Sequence, residues 1–391
     1  GTGNQAGAGR AYIVFGKTDT AVVYLSSVVA AIATGGFVIN GQCQNDSSGH
    51  SVSSAGDVNG DGLADLIVGA PFSGLKNGYA GPGVSYVVFG KESGQAIDLS
   101  AVSAGVGGFV IKGESGGNYA GWSVSSAGDF NGDGFEDVVL GAPYSSLSGR
   151  TSNGMVAVVF GRNSNFADVI LGASFVSSAT QGFLVYGASA NNLLGTSVST
   201  AGYFDNDAFK DVMVGAAGAG YALVLYGRNG VPSNIDLFAP LLSANGFYIS
   251  GVNSGDLTGN AVSNAGDVNG DGVGDILVSA ADDAQGVTYL IYGSAVRPTS
   301  IALSSFSGTS STGYKLIGAA PADRFGFALS AAGDVNGDGT VDFIVGAYAA
   351  DPQSRSSAGQ TYVVFGVRPP TAAPSATPVA DPTLAPVVSP T

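Results

Sequence analysis

Short apolar runs, about five to seven residues long and closed by glycine or by Ser, Thr, Asn and Asp, recur along the whole chain. One set reads AYIVFG (11–16), SYVVFG (85–90), AVVFG (157–161), ALVLYG (222–227), TYLIYG (288–293) and TYVVFG (361–366). A second reads GGFVING (35–41), GGFVIKG (107–113), QGFLVYG (181–187), NGFYISG (245–251) and TGYKLIG (312–318). A third, rich in Gly and Ser, reads GHSVSSAG (49–56), GWSVSSAG (121–128), GTSVSTAG (195–202), GNAVSNAG (259–266) and FGFALSAAG (325–333). These lengths suit strands and are too short for independent helices. Consecutive apolar residues such as Val87, Val88 and Phe89 predict strands covered on both faces.

The runs keep step with a fourth phrase, AGDVNGDGLADLIVGAP at 55–71, which returns at 127–143, 265–281 and 332–348 and, in a worn form, at 201–217. Its centre is D-x-N-G-D-G-x-x-D, with oxygen side chains on alternate residues and glycines that permit a sharp bend. That spacing predicts a hard-cation ligand set, calcium before magnesium, which gives up its waters reluctantly. In the first loop the ligands are Asp57, Asn59, Asp61, the Leu63 carbonyl and Asp65. The corresponding sets are Asp129, Asn131, Asp133, Phe135 and Asp137; Asp267, Asn269, Asp271, Val273 and Asp275; Asp334, Asn336, Asp338, Thr340 and Asp342. The worn loop keeps Asp205, Asp207, Phe209 and Asp211, but Tyr203 replaces the first Asp and Ala208 the second Gly, so weak binding and none both stay open there.

The unit length, 64 to 74 residues between loops, is too long for a parallel β-helix. Four short strands per unit, apolar on both faces, predict an all-β fold: a β-propeller of four-stranded antiparallel blades, with the Gly/Ser-rich strand innermost. Five units carry a calcium loop and residues 1–41 add a partial unit holding only a third and a fourth strand. Either those strands complete the last sheet and close the ring, or the chain is a fragment of a longer propeller; the pattern favours the fragment. The propeller is expected over 1–367. Residues 368–391, with Pro at 370, 374, 378, 382, 386 and 390, are expected to form an extended Pro/Thr/Ala-rich tail like an O-glycosylated extracellular spacer.

Composition changes this picture in one respect. The formal charge is -15, and fifteen of the 29 acids are Asp residues in the five loops, so the acidity reads as metal demand. One divalent ion per loop would bring the total to about -5, an ordinary value. Without a basic patch, nucleic acid is excluded as a partner. No apolar run is long enough to insert in a membrane. Cys43 is alone and expected as a small buried filler. Asn45-Asp46-Ser47 is the one N-glycosylation sequon.

The G-x-x-V-x-x-A-G-D phrase, the nine-residue loop and the Gly-Ala-Pro at 69–71 and 141–143 resemble the FG-GAP repeats of the integrin α-subunit propeller. That resemblance covers residues 1 to about 366. It implies a seven-bladed ring, calcium on one face and ligands on the other, in an extracellular or cell-surface, secreted protein of adhesion or recognition. A chain of five complete units would then be part of such a ring. Protein or glycan ligands would meet variable loops such as 71–83, 143–154 and 348–359; Phe72 and Tyr144 share a position just past Gly-Ala-Pro, and Tyr79, Tyr119 and Trp122 lie nearby in their own units. Packing between blades is the plainer role for each of these aromatics. An accessory module of a larger secreted hydrolase is the alternative, as is a carbohydrate-binding propeller. Catalysis within this chain is not expected: His50 is the only histidine, no G-x-S-x-G elbow occurs, and Gly16-Lys17-Thr18 lacks the first glycine of a phosphate loop, having Ala11 there.

Overall fold

The computed structural model describes residues 6–29, 35–74, 81–164, 166–172, 175–253, 255–282, 284–306 and 311–367; Tyr79 and the Pro-rich stretch 368–391 lie outside the described residues. Five successive antiparallel sheets, here called blades one to five, begin with inner strands Ser51–Gly56, Ser123–Gly128, Leu194–Gly202, Thr258–Gly266 and Phe325–Gly333. In blade one the order continues outward through Asp65–Ala70, Val84–Val88 and Gly108–Gly113. Blades two to four repeat it, while blade five has three strands among the described residues, ending with Gln360–Val364. Arg10–Val14 and Gly36–Asn40 pair with each other, as expected of a third and a fourth strand, and not with blade five. Of the described helices, none is long and apolar enough to cross a membrane.

Beyond the four strands of each unit there is an element that was not expected. A short parallel strand joins the outer edge of three blades and of the N-terminal pair: Ile97–Asp98 on Gly36–Asn40, Val169–Leu171 on blade one, Ile235–Asp236 on blade two and Ser300–Ala302 on blade three. Each comes from the connection between the third and fourth strands of the following unit, so it straps one blade to the next. An outermost strand leaves unpaired backbone groups, and the strap satisfies them. Its signal was in the chain as I-D-L at 97–99 and 235–237, V-I-L at 169–171 and I-A-L at 301–303, the last residue buried in every case.

Blades pack face to face, which is why the strands are apolar without alternation. In the second strand of blade two, Val138 and Leu140 face Ile67, Val87 and Phe109 of blade one, while Val139 faces Val212, Val214 and Leu223 of blade three. Fully burying such a side chain contributes about 1.5–3 kcal/mol. Near the inner strands the backbones themselves meet. A methyl group on Gly69, Gly141 or Gly215 would lie 2.1, 2.0 or 1.9 Å from the carbonyl oxygen of Gly121, Gly195 or Gly259 in the next blade. To those same carbonyls Ser51, Ser123 and Ser197 donate through Oγ at 2.8, 2.9 and 2.8 Å. Blade four exchanges the residue types: Ala261 stands at the serine position and Ser279 at the glycine position, its Oγ bonded to both the amide and the carbonyl of Ala261.

The stack is open at both ends among the described residues. Val52 on the inner strand of blade one is 57% exposed, whereas its counterparts Val124, Val198 and Val262 are each 7% exposed. Blade five leaves Phe327, Val335, Val363 and Phe365 exposed. Cys43 also differs from expectation: it is exposed, in the connection that leaves Gly36–Asn40.

The seam between blades makes a contrast that denaturation can read. Gly141→Ala places its Cβ against the Gly195 carbonyl and is expected to cost about 1–3 kcal/mol. Gly346→Ala, at the same position of blade five, meets Ala328 at no less than 3.5 Å and should be neutral or slightly stabilising. Equal urea midpoints for the two variants would contradict the seam.

Candidate metal loops and the opposite face

Each acid-rich loop joins the first and second strands of its blade, as its place in the repeat requires. In the first, Asp57 Oδ1 accepts from the amides of Gly60 and Asp61 at 2.7 and 3.1 Å, and Oδ2 from Gly62 at 2.8 Å. Asn59 Oδ1 accepts from the Asp61 amide at 2.8 Å, and Asp61 Oδ1 from that of Leu63 at 2.8 Å. The loops at 129, 267 and 334 repeat this pattern bond for bond. The bend needs its glycines: φ is 73° at Gly60 and 85° at Gly62, a region that L side chains seldom adopt.

The ninth position stands apart. Asp65, Asp137, Asp275 and Asp342 are wholly buried. One oxygen of each accepts from the amide of the loop's second residue, as Asp65 Oδ2 does from Val58 at 2.9 Å. Its other oxygen accepts from the glycine that ends the third strand, Gly90, Gly161, Gly293 or Gly366, at 2.7–3.0 Å. This explains the terminal glycine of the VFG phrase. A Cβ on Gly161 would sit 2.3 Å from the Glu136 carbonyl oxygen, just before the buried acid.

Burial pushes the Asp275 carboxyl up to about 7 and that of Asp137 well above the ordinary range, against the amide bonds and helped by the charges of the fifth and first loop acids. Asp65 is raised for the same reasons. Among the described residues, no three acid, histidine or cysteine side chains are gathered closely enough to hold an ion; the loop carboxylates accept from loop amides instead. Chemically, the four complete loops fit a hard cation. Their side-chain donors are all carboxylate or amide oxygens, and the amides now bound can be shared, since each carboxylate oxygen has a second lone pair.

The loop at 203–211 is built differently. Asn206 takes φ 59° at the first glycine position, and Ala208 does not adopt the positive φ of the second. Asp211 Oδ1 accepts from Gly227 at 2.9 Å, but its buried Oδ2 has no hydrogen-bond partner. Burial, with Asp205 nearby, pushes this carboxyl up to about 8. Two acids of the loop, Asp205 and Asp207, bind Arg297, a residue that the reading of the sequence did not single out.

Neighbouring loops touch. Phe135 lies against Gly60 and Phe209 against Gly132, while Lys210 pairs with Glu136 at 3.2 Å. At the other ends of the strands, His50, Phe72, Tyr119, Trp122 and Tyr144 form a contiguous set of rings with centroids 4.8–6.5 Å apart. They come from the connections around blades one and two, and Tyr144 remains 37% exposed. His50 Nδ1 lies 3.2 Å from the Trp122 carbonyl oxygen.

Face-packed four-stranded sheets, each bearing a nine-residue acidic loop between its first two strands, define a β-propeller of repeated units. A family model described as FG-GAP repeat matches residues 48–88, 120–159 and 325–364, the inner three strands of blades one, two and five. The chain is also 31% identical over 211 residues to integrin alpha-PS5 of Drosophila melanogaster, covering 53% of this chain and 18% of that protein. It is 30% identical over 256 residues to integrin alpha-PS2 of the same species, covering 60% and 16%, and 28% identical over 242 residues to integrin alpha-V of Gallus gallus, covering 60% and 20%. The chain thus carries FG-GAP repeats and is similar to integrin α subunits, and it spans about a fifth or less of the length of these relatives.

The raised acids make stability depend on pH with a definite sign. A carboxyl whose folded pKa is about 7 or 8 keeps a proton that the unfolded chain, near 3.9, has lost. The folded state of the metal-free protein is therefore favoured at low pH and loses stability as pH rises from about 4 to 8. Melting in chelator should give a lower Tm at pH 8 than at pH 5.5; a Tm that rises over this window would refute the assignment.

Proposed function

We propose that this chain is a calcium-stabilised, non-enzymatic recognition propeller of an extracellular or cell-surface protein. Its ions are structural, on the rim of acidic loops, and its ligand contacts lie on the opposite face. The observation that carries the reading is the identical hydrogen-bonded geometry of four complete D-x-N-G-D-G-x-x-D loops. Twelve of the chain's aspartates lie in those four loops, a local charge that favours a bound counter-cation. In each complete loop the first, third and fifth side chains and the carbonyl of the seventh residue would hold the ion, with the ninth acid behind them. Bound calcium supplies positive charge that draws the first two strands of a blade together. Similarity to integrin α subunits supports the extracellular recognition role.

For the ligand, the five-ring cluster around Trp122 is the favoured contact surface, either for a protein partner or for a glycan. Flat aromatic faces beside polar loops suit both. The lone histidine packs into this cluster against a backbone carbonyl, which supports binding over catalysis.

Calcium removal is the test. Because an ion bound only by the folded state stabilises it by about 2.7 kcal/mol per site at a hundredfold excess over Kd, chelation should lower Tm by many degrees. An unchanged melting curve would count decisively against structural calcium. Tyr144→Ala with Trp122→Ala should abolish retention of calcium-loaded protein by any glycan or protein ligand found in an array screen while leaving Tm within a few degrees.

A further inference from the structure

The worn loop has acquired a cation of its own. After the third strand of blades two to five, the chain runs over the acidic loop of the preceding blade and donates an amide to the carbonyl of that loop's second residue. Arg162 does so to Val58, Arg228 to Phe130, Ser294 to Phe204 and Val367 to Val268, at 2.8–3.0 Å. In the crossing over 203–211 a guanidinium from that segment turns into the acids below it. Arg297 Nε donates to Asp205 Oδ2 and Nη2 to Asp207 Oδ2, both at 2.6 Å. The Asp205 side chain is fully buried, and the guanidinium lies over the buried Tyr226 ring, 4.7 Å from its centroid. Tyr226 in turn donates from its hydroxyl to the carbonyl of Pro298, next to Arg297. In the crossings over 57–65 and 129–137, Arg162 donates to the carbonyls of Phe160 and Thr180, and Arg228 to Asn245 and to the carbonyl of Tyr226.

Three further features of this loop depart in the same direction. An ion's first ligand is lost at Tyr203, the bend is lost at Ala208, and the buried Asp211 Oδ2 no longer receives the second-residue amide that its counterparts do. The residues present do not fit calcium, because a rigid, permanently charged fork bridges the third- and fifth-position carboxylates whose oxygens the ion would need. We infer that Arg297 replaces the metal in this loop, making blade three the calcium-independent member of the set. The full chain then binds four ions, and the middle blade keeps its loop ordered when the other four lose theirs.

The assignment of ions to the other loops rests on the proposed function; the role of Arg297 does not, and the experiments separate the two. Hydrogen exchange on the full chain, with calcium and with chelator, is the first. Chelation is expected to speed exchange tenfold or more in 57–65, 129–137, 267–275 and 334–342 and to leave 203–211 unchanged. Loss of protection at 203–211 together with the others would overturn the inference, as would five calcium ions per wild-type chain by equilibrium dialysis. No bound calcium at all would instead defeat the metal reading of the four loops.

Arg297→Gln, melted in chelator, decides the arginine's role by itself. Leaving two buried or half-buried carboxylates unpaired should lower Tm by roughly 5 °C or more, with partial recovery in Arg297→Lys. An unchanged Tm would overturn the inference. Tyr203→Asp with Ala208→Gly and Arg297→Gln restores the consensus and should raise the calcium count by one; a folded triple variant with an unchanged count would overturn it too.

Discussion

A buried carboxylate near the start of the second strand is the interaction on which each blade depends. Asp65, Asp137, Asp275 and Asp342 each join two segments of the blade: the loop after the inner strand and the glycine just past the third strand. A charged-type group with no exposure is costly unless its oxygens are satisfied, and here two backbone amides do that. Asp211 retains only one of the two bonds. The requirement reaches into the sequence at both ends, since the third strand must finish with a glycine small enough to approach the residue before the acid. Loop, second strand and third strand therefore share one anchor, distinct from the more exposed acids of the loop.

Between blades a different constraint operates. Inner strands crowd toward one another until backbone meets backbone, and the GAP glycine with the serine of S-V-S-S are two halves of that contact. Blade four exchanges the two residue types between its strands, and there the Ser279 hydroxyl bonds to Ala261 within the blade instead of to a carbonyl of the next one. Further out, alternate residues of one strand face opposite neighbours, so every interior blade is apolar on both sides. Blade five and the inner strand of blade one have a neighbour on one side only, and it is there that large apolar side chains are exposed.

Electrostatics sorts the five loops into two kinds. Four concentrate carboxylates around a backbone bend that hydrogen bonds alone hold in shape, a state whose own repulsion favours a bound cation. In the fifth, a guanidinium delivered from the next blade balances two of the acids over an aromatic face. A guanidinium cannot be removed by a chelator or displaced by protons near neutrality. On the proposed reading, blade three lies between calcium-sensitive neighbours while depending on none of their ions.

Much of this was legible in the residues. Strand lengths, order of strands, position of the acidic loops and the two-sided packing follow from local patterns, because alternation, glycine placement and ligand spacing act over fewer than ten residues. The I-D-L phrase of the edge strap was equally visible, but its partner is the preceding blade, and no local rule says so. Arg297 lies 92 residues from Asp205 in the chain, so their pairing exists only once blade four has been laid against blade three. The double duty of the ninth acid was hidden for the same reason: its second amide belongs to a strand 16 to 25 residues away. By itself the sequence determined the repeated sheet and its loops, since those depend on neighbours in the chain. Only the tertiary structure decided which loop carries its own cation and which aromatics meet, since those depend on how successive blades are stacked.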